Sequence, residues 1–338
     1  MPVSMTEMES PALPPALREA LEKEIGSRRE GELAKAAAEL SRRYRLESPG
    51  AKGRYLTTAG EVLAYAAVRM PATYAAVFSV LSEIKARCPG FQPRTLLDVG
   101  AGPGTAAWAA AVHWPELERC VLIEREPEMI ALGRRVAAHA PLLALREATW
   151  LRHDLSASLE MPQADLVIAS YVAGELSEKD LAAFGERLWE SAKEILVLIE
   201  PGSAAGFERV VALRSRLVQG GAHVVAPCPH ADACPLSGDW CHFGARVERT
   251  RWHRRLKGGE LPYEDEKFSY VALSRWPCQP ALGRVIRRPE ARKGHVRLLL
   301  CTPAGVGERV ISRKEGERFR WARKAQWGSP LPDEGDRR

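Results

Sequence analysis

The sequence lacks several features that would assign it to a particular class of protein. It contains no run of 18 apolar residues, which argues against a membrane-spanning helix. No charged start precedes an apolar stretch with a small-residue cleavage site, as in a secretory leader. Seven cysteines, odd in number and scattered, argue against a secreted disulfide framework. These absences predict a soluble cytoplasmic protein with reduced thiols and no membrane partner.

Charge is distributed unevenly along the chain. Residues 241–338 contain 23 Lys and Arg against 12 Asp and Glu, whereas the whole chain carries a net charge of only +6. A basic surface of this size typically contacts a polyanion, most often a nucleic acid. The alternative interpretation is a solvated cationic surface.

Helical periodicity dominates the first part of the chain. Apolar positions between Leu17 and Tyr44 recur at helical spacing. Thr57 or Thr58 is placed to cap a further helix, and Pro71 suits the first turn of the next one. We therefore expect an N-terminal helical region over residues 1–92.

From Thr95 onwards, short apolar runs alternate with helical stretches, which predicts an α/β fold with parallel strands and crossover helices. The expected strands are 95–99, 120–124, 143–147, 165–170 and 195–200. Two later β-rich runs are expected as an antiparallel pair at the sheet edge, Phe268–Ser274 and Val296–Cys301. The expected segments after the helical region are a Rossmann-like core over 93–220, a cysteine-rich metal-binding insertion over 221–267, the final strands of the core over 268–303, and a basic C-terminal helix and tail over 304–338.

A glycine loop follows the first expected strand. The sequence TLLDVGAGPGT (Thr95–Thr105) places Asp98 near the strand end and then Gly100, Gly102 and Gly104 at alternate positions before a small-residue helix. Glycines allow the backbone to turn sharply with a ligand against it, and the helix start presents free N–H groups. The spacing differs from the G-x-G-x-x-G of dinucleotide-binding loops. The ordinary alternative is a tight turn.

This loop resembles motif I of the class I S-adenosylmethionine (SAM)-dependent methyltransferases. The next expected strand, in VLIERE, ends at Glu124, 26 positions after Asp98, where that family has a carboxylate that accepts hydrogen bonds from both ribose hydroxyls. By the same resemblance, Asp98 lies near the methionine moiety and Asp154 approaches the adenine amino group. The implied fold is the Rossmann-like sheet of class I methyltransferases.

A recognisable methyl-acceptor site is missing from the sequence. The segment DLVIASYVAGEL has no Asn-Pro-Pro-Tyr element to grip a base nitrogen and no cysteine placed to attack a pyrimidine. Tyr171 and Glu175 occupy the corresponding positions, where they either position a substrate or cap the next helix. The sequence therefore supports cofactor binding better than catalysis, and the catalytic residues stay unknown.

The segment PCPHADACPLSGDWCHF (Pro227–Phe243) has little apolar content and contains three thiols, Cys228, Cys234 and Cys241. No catalytic or packing role easily explains three thiols so close together, so the segment predicts a metal site that takes a fourth ligand from elsewhere. Two Cys-Pro pairs and gaps of five and six residues favour an iron–sulfur cluster over a zinc knuckle. Zinc, with His230 or His242 as a substitute ligand, is the alternative.

The cysteine loop, EPGSAAGF (Glu200–Phe207), YEDEKFSY (Tyr263–Tyr270) and the basic C-terminus together resemble the methyltransferase-like proteins of the small ribosomal subunit, known from mitochondrial ribosomes and from bacterial relatives. The resemblance covers roughly residues 50–328. It implies a 4Fe-4S cluster with Cys301 as the fourth ligand, and Cys278 is the competing choice. Two further cysteines are most simply core or free thiols, Cys88 and Cys120.

The leading interpretation is a SAM-binding, iron–sulfur-containing methyltransferase that acts on the rRNA of the small ribosomal subunit. A non-catalytic assembly factor that retains the SAM fold and binds rRNA is the alternative, and a small-molecule methyltransferase without RNA affinity is the third. Trp321 and Trp327 are expected either to stack on bases or to dock the last helix. Phosphate contacts are expected from the basic C-terminal third, at Arg246, Arg249, Arg251, Arg254, Arg255, Arg313, Lys314, Arg318, Arg320, Arg323 and Lys324.

Overall fold

The computed structural model describes residues 11–26, 30–46, 58–155, 157, 159–257 and 261–332. The helices are α1 Pro15–Gly26, α2 Glu30–Leu46, α3 Ala59–Arg87, α4 Thr105–His113, α5 Pro127–Ala137, α6 Leu143–Arg146, α7 Glu178–Ser191, α8 Ala204–Gln219, α9 Arg251–Lys257 and α10 Glu317–Lys324. The strands are β1 Thr95–Val99, β2 Arg119–Glu124, β3 Thr149–Arg152, β4 Ala164–Ser170, β5 Ala192–Pro201, β6 His223–Ala226, β7 Phe243–Glu248, β8 Tyr263–Ser274, β9 Arg284–Val285, β10 Glu290–Arg292, β11 His295–Thr302 and β12 Gly305–Ser312.

The main sheet is mixed and Rossmann-like. Its strand order is β3-β2-β1-β4-β5-β8-β6, and β7 pairs with β8. The chain divides into two compact units, the first made of Met1–Leu81, Gln92–Leu159 and Ala245–Glu266, and the second made of Ser82–Phe91, Glu160–Gly244 and Lys267–Arg338.

In the first unit, β1, β2 and β3 are parallel, with Thr95 opposite Arg119 and Val121 opposite Thr149. The interior residues of β1 and β2 are almost all buried, as expected for parallel strands covered on both faces. Trp150 of β3 packs against Gly104 and Gly133, because a Cβ atom at either glycine would meet its indole ring. The sheet therefore holds the glycine loop against a rigid aromatic side chain.

In the second unit, β5 is parallel to β4 and antiparallel to β8, which also pairs antiparallel with β6. A smaller sheet follows, in which β11 pairs with β10, β12 and β9. One face of this sheet buries an apolar cluster that α10 covers through Phe319, Trp321 and Ala322, and the strand residues of the cluster are Val285, Val296, Leu298, Leu300 and Ile311.

The α/β class and four of the five expected parallel strands are confirmed to within three residues at each end. The expected strand at 143–147 is wrong: residues 143–146 form the short helix α6, and the strand is β3, six residues later. The sequence Leu-Ala-Leu-Arg is composed of strong helix formers, whereas Thr149 and Trp150 favour a strand.

The expected edge pair of Phe268–Ser274 and Val296–Cys301 is also wrong. The first run belongs to β8, which lies between β5 and β6, and the second belongs to β11 in the smaller sheet. The sequence prediction missed β6, and this strand covers the edge of β8. Residues 221–267 thus contribute β6 and β7 to the main sheet, and their description as a metal-binding insertion stays a prediction.

Helix α3 is continuous through Pro71, where the sequence predicted a break. The lost hydrogen bond is offset by extensive burial, since Met70, Ala72, Ala75 and Val77 are at most 1% exposed. Thr58 caps the helix as predicted, because Glu61 N donates to Thr58 Oγ1 and Thr58 N donates to Glu61 Oε2. By length and composition α3 could cross a membrane, but 72% of its most apolar window is buried in the protein, as in a core helix.

Replacing Gly133 with alanine is expected to lower the free energy of unfolding by about 1–3 kcal/mol, because the new Cβ would lie 2.2 Å from Trp150 Cη2. Urea unfolding followed by circular dichroism measures the change. Gly31→Ala is the control, since nothing lies within 4 Å of its Cβ position and alanine favours a helix by up to about 1 kcal/mol. Equal effects of the two substitutions would contradict the proposed packing.

Candidate functional site

The glycine loop between β1 and α4 adopts a conformation that depends on its glycines. Gly100, Gly102 and Gly104 have φ values of 71°, 53° and 84°, in the left-handed region that other residues rarely adopt. The backbone N–H groups of Gly100 and Ala101 both donate to Ile123 O, at 2.9 and 3.0 Å. The loop is therefore fixed against the end of β2, where Glu124 lies.

Glu124 is held in place by backbone donors. Its Oε2 accepts a hydrogen bond from Gly102 N, and its Oε1 accepts from Arg125 N and Glu126 N, all at 2.8 Å. Burial raises the pKa of Glu124, and these three amides oppose the rise. A carboxylate offers about four acceptor positions, so Glu124 keeps capacity for a ligand hydroxyl.

Asp98 is the most unusual residue of this region. It is 0% exposed, and neither carboxylate oxygen has a hydrogen-bond partner among the described residues. Burial raises the pKa of Asp98 to about 7, the nearby backbone N–H of Ala107 opposes the rise, and the charge of Glu124 adds to it. Buried polar groups are nearly always satisfied, so a bare carboxylate beside a left-handed glycine loop is a natural place for a polar ligand or its bound water.

Asp154 lies beyond the end of β3 and is half-exposed, with its Oδ2 3.9 Å from Arg125 Nη1. Arg125 directly follows Glu124. The structure thus brings together, within the first unit, the loop glycines and the three carboxylates that the sequence selected, although their roles toward SAM stay predictions.

A second group of polar residues lies at the ends of β4 and β5 in the second unit. Glu200 is 3% exposed, accepts a hydrogen bond from Ala173 N at 2.9 Å and pairs with Arg209 at 3.4 Å. Burial raises the pKa of Glu200 to about 7, against the effect of Arg209. In the sequence, Glu200 was singled out only as part of the segment EPGSAAGF, which carries the family resemblance. The signal that marks it is a carboxylate at the end of an apolar strand.

Tyr171, in the same region, has a φ of 58°, the one positive value outside glycine in the described residues. Such strain concentrates at functional sites. Neither Tyr171 nor Glu175 caps the next helix, because Ser177 does: its Oγ accepts from Asp180 N at 3.3 Å. Capping of the next helix is therefore the wrong role for both Tyr171 and Glu175.

The cysteine loop between β6 and β7 surrounds a cavity. All four predicted ligands line it, the three loop cysteines and Cys301 of β11. Burial and the neighbouring cysteine charges raise the pKa of Cys241, and they raise that of Cys301 to about 12. Neighbouring thiolates thus oppose the ionisation of Cys228, Cys241 and Cys301, an effect that a bound cation would reverse.

Two buried arginines line the same cavity. Arg284 is 2% exposed and donates to Pro227 O at 3.0 Å, to Gly328 O at 2.8 Å and to Glu83 Oε1 at 2.7 Å. Arg214 is equally buried and donates to His230 O at 2.7 Å, but its Nε has no hydrogen-bond partner among the described residues. Arg214 lowers the pKa of Cys228, although burial raises it overall.

No three His, Cys, Asp or Glu side chains in the described ranges are arranged to hold a metal ion. Of the two alternative ligands, His230 lines the cavity, with its Nε2 3.7 Å from Cys301 Sγ. His242 instead packs against the rings of Trp240 and Trp327, with centroids 5.7 and 4.6 Å away. The competing ligand Cys278 lies elsewhere, 3.3 Å from Cys88.

The loop is also held by hydrogen bonds. Trp240 Nε1 donates to Gly202 O at 2.9 Å, and Ser269 Oγ donates to Cys241 O at 2.8 Å. Asp239 pairs with Arg287. The loop is thus anchored at several points besides its cysteines.

Most of the predicted phosphate-binding residues are exposed. Arg249 is the exception, because it pairs with Glu264 in a contact where both side chains are less than a fifth exposed. Arg246 pairs with Asp265 at 3.2 Å. Trp321 packs on the apolar cluster of the smaller sheet, and Trp327 packs on His242. Of their two expected roles, both residues therefore have that of docking the C-terminal segment. The other arginines and lysines of the prediction are exposed.

The chain is similar to a known protein family and to curated proteins of known name. A family model described as "Mitochondrial small ribosomal subunit Rsm22" matches residues 59–332. Human mitochondrial ribosome assembly protein METTL17 is 31% identical over 307 residues, which cover 81% of this chain and 63% of METTL17. Rsm22-cox11 tandem protein 2, a mitochondrial protein of Schizosaccharomyces pombe, is 27% identical over 335 residues, which cover 81% of this chain and 43% of that protein.

Among solved structures, magnesium protoporphyrin IX methyltransferase from Synechocystis PCC 6803 with bound SAM aligns at 13% identity and a TM-score of 0.40, covering 70% of this chain and 91% of the other. The chain spans less than two thirds of the length of the two curated relatives. The expected cytoplasmic location is wrong, because these relatives are mitochondrial proteins.

Replacing Asp98 with asparagine is expected to flatten the pH dependence of stability. The folded protein binds more protons than the unfolded chain between about pH 3.9, the ordinary aspartate value, and about 7, the folded pKa. Stability therefore falls as the pH rises through this window, by up to about 4 kcal/mol. Urea unfolding at pH 5 and pH 8 measures the difference between wild type and Asp98→Asn. The exposed Glu128→Gln is the control, and parallel profiles for wild type and Asp98→Asn would contradict the burial argument.

Proposed function

Because the chain belongs to the Rsm22 family of mitochondrial small-subunit proteins, we propose that it binds SAM and acts on the RNA of the small ribosomal subunit during assembly or translation. The observation that carries the cofactor assignment is the buried, unpartnered carboxylate of Asp98 beside the left-handed glycine loop. When bound, SAM supplies an electrophilic methyl group for transfer to a nucleophilic atom.

The residues of the first unit have distinct tasks in this proposal. Glu124 accepts a hydrogen bond from a ribose hydroxyl with the acceptor capacity that its three amide contacts leave. Asp98 accepts from a donor of the methionine moiety or from its bound water, and Asp154 approaches the adenine amino group. Gly102 and Gly104 let the backbone approach the ligand closely.

The proposed reaction is methyl transfer by proximity and orientation, without a covalent enzyme intermediate. Tyr171 and Glu200 mark a second candidate functional region, within the second unit. A strained backbone and a carboxyl group with a pKa near 7 are features of functional sites. The non-catalytic assembly factor is the second candidate, because no recognised acceptor motif is present in the sequence.

We also propose a 4Fe-4S cluster held by Cys228, Cys234, Cys241 and Cys301. Arg214 supports this cluster, since its buried guanidinium has no hydrogen-bond partner at Nε among the described residues and lies close enough to Cys228 to oppose the rise in the pKa of that thiol. Metal-bound thiolate at Cys228 supplies a negative charge for this guanidinium. In this proposal the cluster is structural, and the cysteine loop is the element that it stabilises.

Two Cys-Pro pairs and gaps of five and six residues between the loop cysteines favour a cluster over zinc. Four sulfurs on one zinc ion each lie about 2.3 Å from the metal, which requires them to meet at one point. A cluster uses one cysteine for each iron and therefore accepts a wider spacing.

The proposed RNA contacts come from exposed cations in the C-terminal third, among them Arg251, Arg254, Arg318 and Arg323. Phosphate neutralisation by such side chains makes binding sensitive to salt. Arg249 is assigned a structural role instead, because its partner Glu264 already neutralises it.

Incubation of the protein with methyl-labelled SAM and small-subunit precursor particles is expected to place label in the RNA. Glu124→Gln should weaken SAM binding by about tenfold or more, because an amide replaces an acceptor of several charge-assisted hydrogen bonds. Calorimetry measures that affinity, with Glu128→Gln as the control.

Absence of label despite measurable SAM binding would exclude the enzyme and support the assembly factor. Label found only in small molecules, together with no salt-dependent RNA binding, would support a small-molecule methyltransferase.

Anaerobic preparations of the wild-type chain are expected to contain about four iron and four sulfide per chain. Cys301→Ser should lose most of this iron, whereas Cys278→Ser should retain it, because Cys278 does not line the cavity. Iron and sulfide analysis with visible absorption measures both. Iron loss in Cys278→Ser but not in Cys301→Ser would contradict the ligand assignment, and stoichiometric zinc without sulfide would contradict the cluster.

A further inference from the structure

Two cysteines outside the metal cavity face each other in the second unit. Cys88 directly follows α3, and Cys278 lies four residues after the end of β8. Their sulfur atoms are 3.3 Å apart, which is hydrogen-bonding distance for a thiol and a thiolate. Since a disulfide bond is about 2.05 Å long, a shift of little more than 1 Å would join the two sulfurs.

The two thiols have different environments. Cys88 is 7% exposed, whereas Cys278 is half-buried and also lies 3.2 Å from Ser274 Oγ. The hydrogen bond from Cys88, together with that from Ser274, lowers the pKa of Cys278 to about 6, while the same bond and burial raise the pKa of Cys88. A more accessible thiolate next to a protected thiol is the arrangement of a nucleophile and a resolving cysteine.

A groove of about 560 Å³ is lined in part by Cys88 and Cys278. Its size is that of sites that take small molecules. Phe91 and Trp276 provide apolar walls, and Glu194 and Arg87 line the groove as well, with Arg87 paired to Glu83 at 3.1 Å. The groove has room for a small peptide, and its reactive centre is a pair of thiols.

We propose that Cys88 and Cys278 form a redox-active dithiol that reacts with low-molecular-weight disulfides such as glutathione disulfide. The Cys278 thiolate attacks one glutathione sulfur, forms a mixed disulfide and releases the other glutathione as a thiolate. Cys88 then gives up its proton to solvent and attacks Cys278 Sγ, which releases the second glutathione. Two protein thiols are oxidised to one disulfide, and one glutathione disulfide is reduced to two thiols.

The pair is distinct from the proposed cluster site. Neither sulfur lines the cysteine cavity, and in the described ranges no third His, Cys, Asp or Glu joins the two to hold a metal ion. The dithiol links the end of α3 to the segment after β8. Glu83, one turn earlier on α3, binds Arg284, which donates to the first carbonyl of the cysteine loop.

The test exposes the full anaerobically prepared chain to glutathione disulfide, alkylates it with N-ethylmaleimide and maps the peptides by mass spectrometry. We expect one peptide pair joined through Cys88 and Cys278, and dithiothreitol should restore both thiols. In Cys88→Ser, Cys278 should stop at the glutathione adduct, and in Cys278→Ser, Cys88 should remain alkylatable. Cys120→Ala, which removes a buried thiol of β2, should form the same linked pair as wild type.

The pH dependence of alkylation gives an independent readout. The rate at Cys278 should reach half of its maximum near pH 6 in wild type and at a higher pH in Cys88→Ala, because this substitution removes the hydrogen bond from residue 88 to the thiolate. Alkylation of both cysteines after oxidation, or linkage of Cys278 to a cavity cysteine instead, would overturn the proposal.

Discussion

The second unit depends on the hydrogen bonds of one buried group, the guanidinium of Arg284. It lies at the start of the smaller sheet and binds α3 through Glu83, the cysteine loop through Pro227 O and the C-terminal segment through Gly328 O. A buried charge is tolerated only where it is paired and fully hydrogen-bonded. The three segments must therefore adopt their positions together, and the cavity wall beside Cys228 is one result.

Strand pairing explains how distant cysteines meet. Arg284 of β9 lies opposite Cys301 of β11, so the pairing that places the guanidinium also places the fourth thiol. On the other side, β8 lies between β5 and β6 and carries Ser269, which holds Cys241. The cysteine site is thus built on two sheets rather than on a free loop.

The sequence was most informative where local pattern decides structure. Alternating glycines after an apolar strand predicted both the loop and Asp98, because backbone conformation and strand burial are local properties. Pairing partners are not local, so β8 and β11 were assigned to one sheet edge when they belong to different sheets. Arg214 and Glu200 were missed as members of a site, because only burial distinguishes a lone arginine or glutamate from a surface charge.

The position of Cys301 on β11 has a consequence for biosynthesis. The chain must be made through β12 and α10 before the smaller sheet can pair and bury its apolar face. Any group that all four cysteines bind is therefore inserted after translation, into a nearly complete fold. A chain that stops before residue 301 has the three loop thiols without the fourth, although Trp240 and Ser269 are both present to anchor the loop.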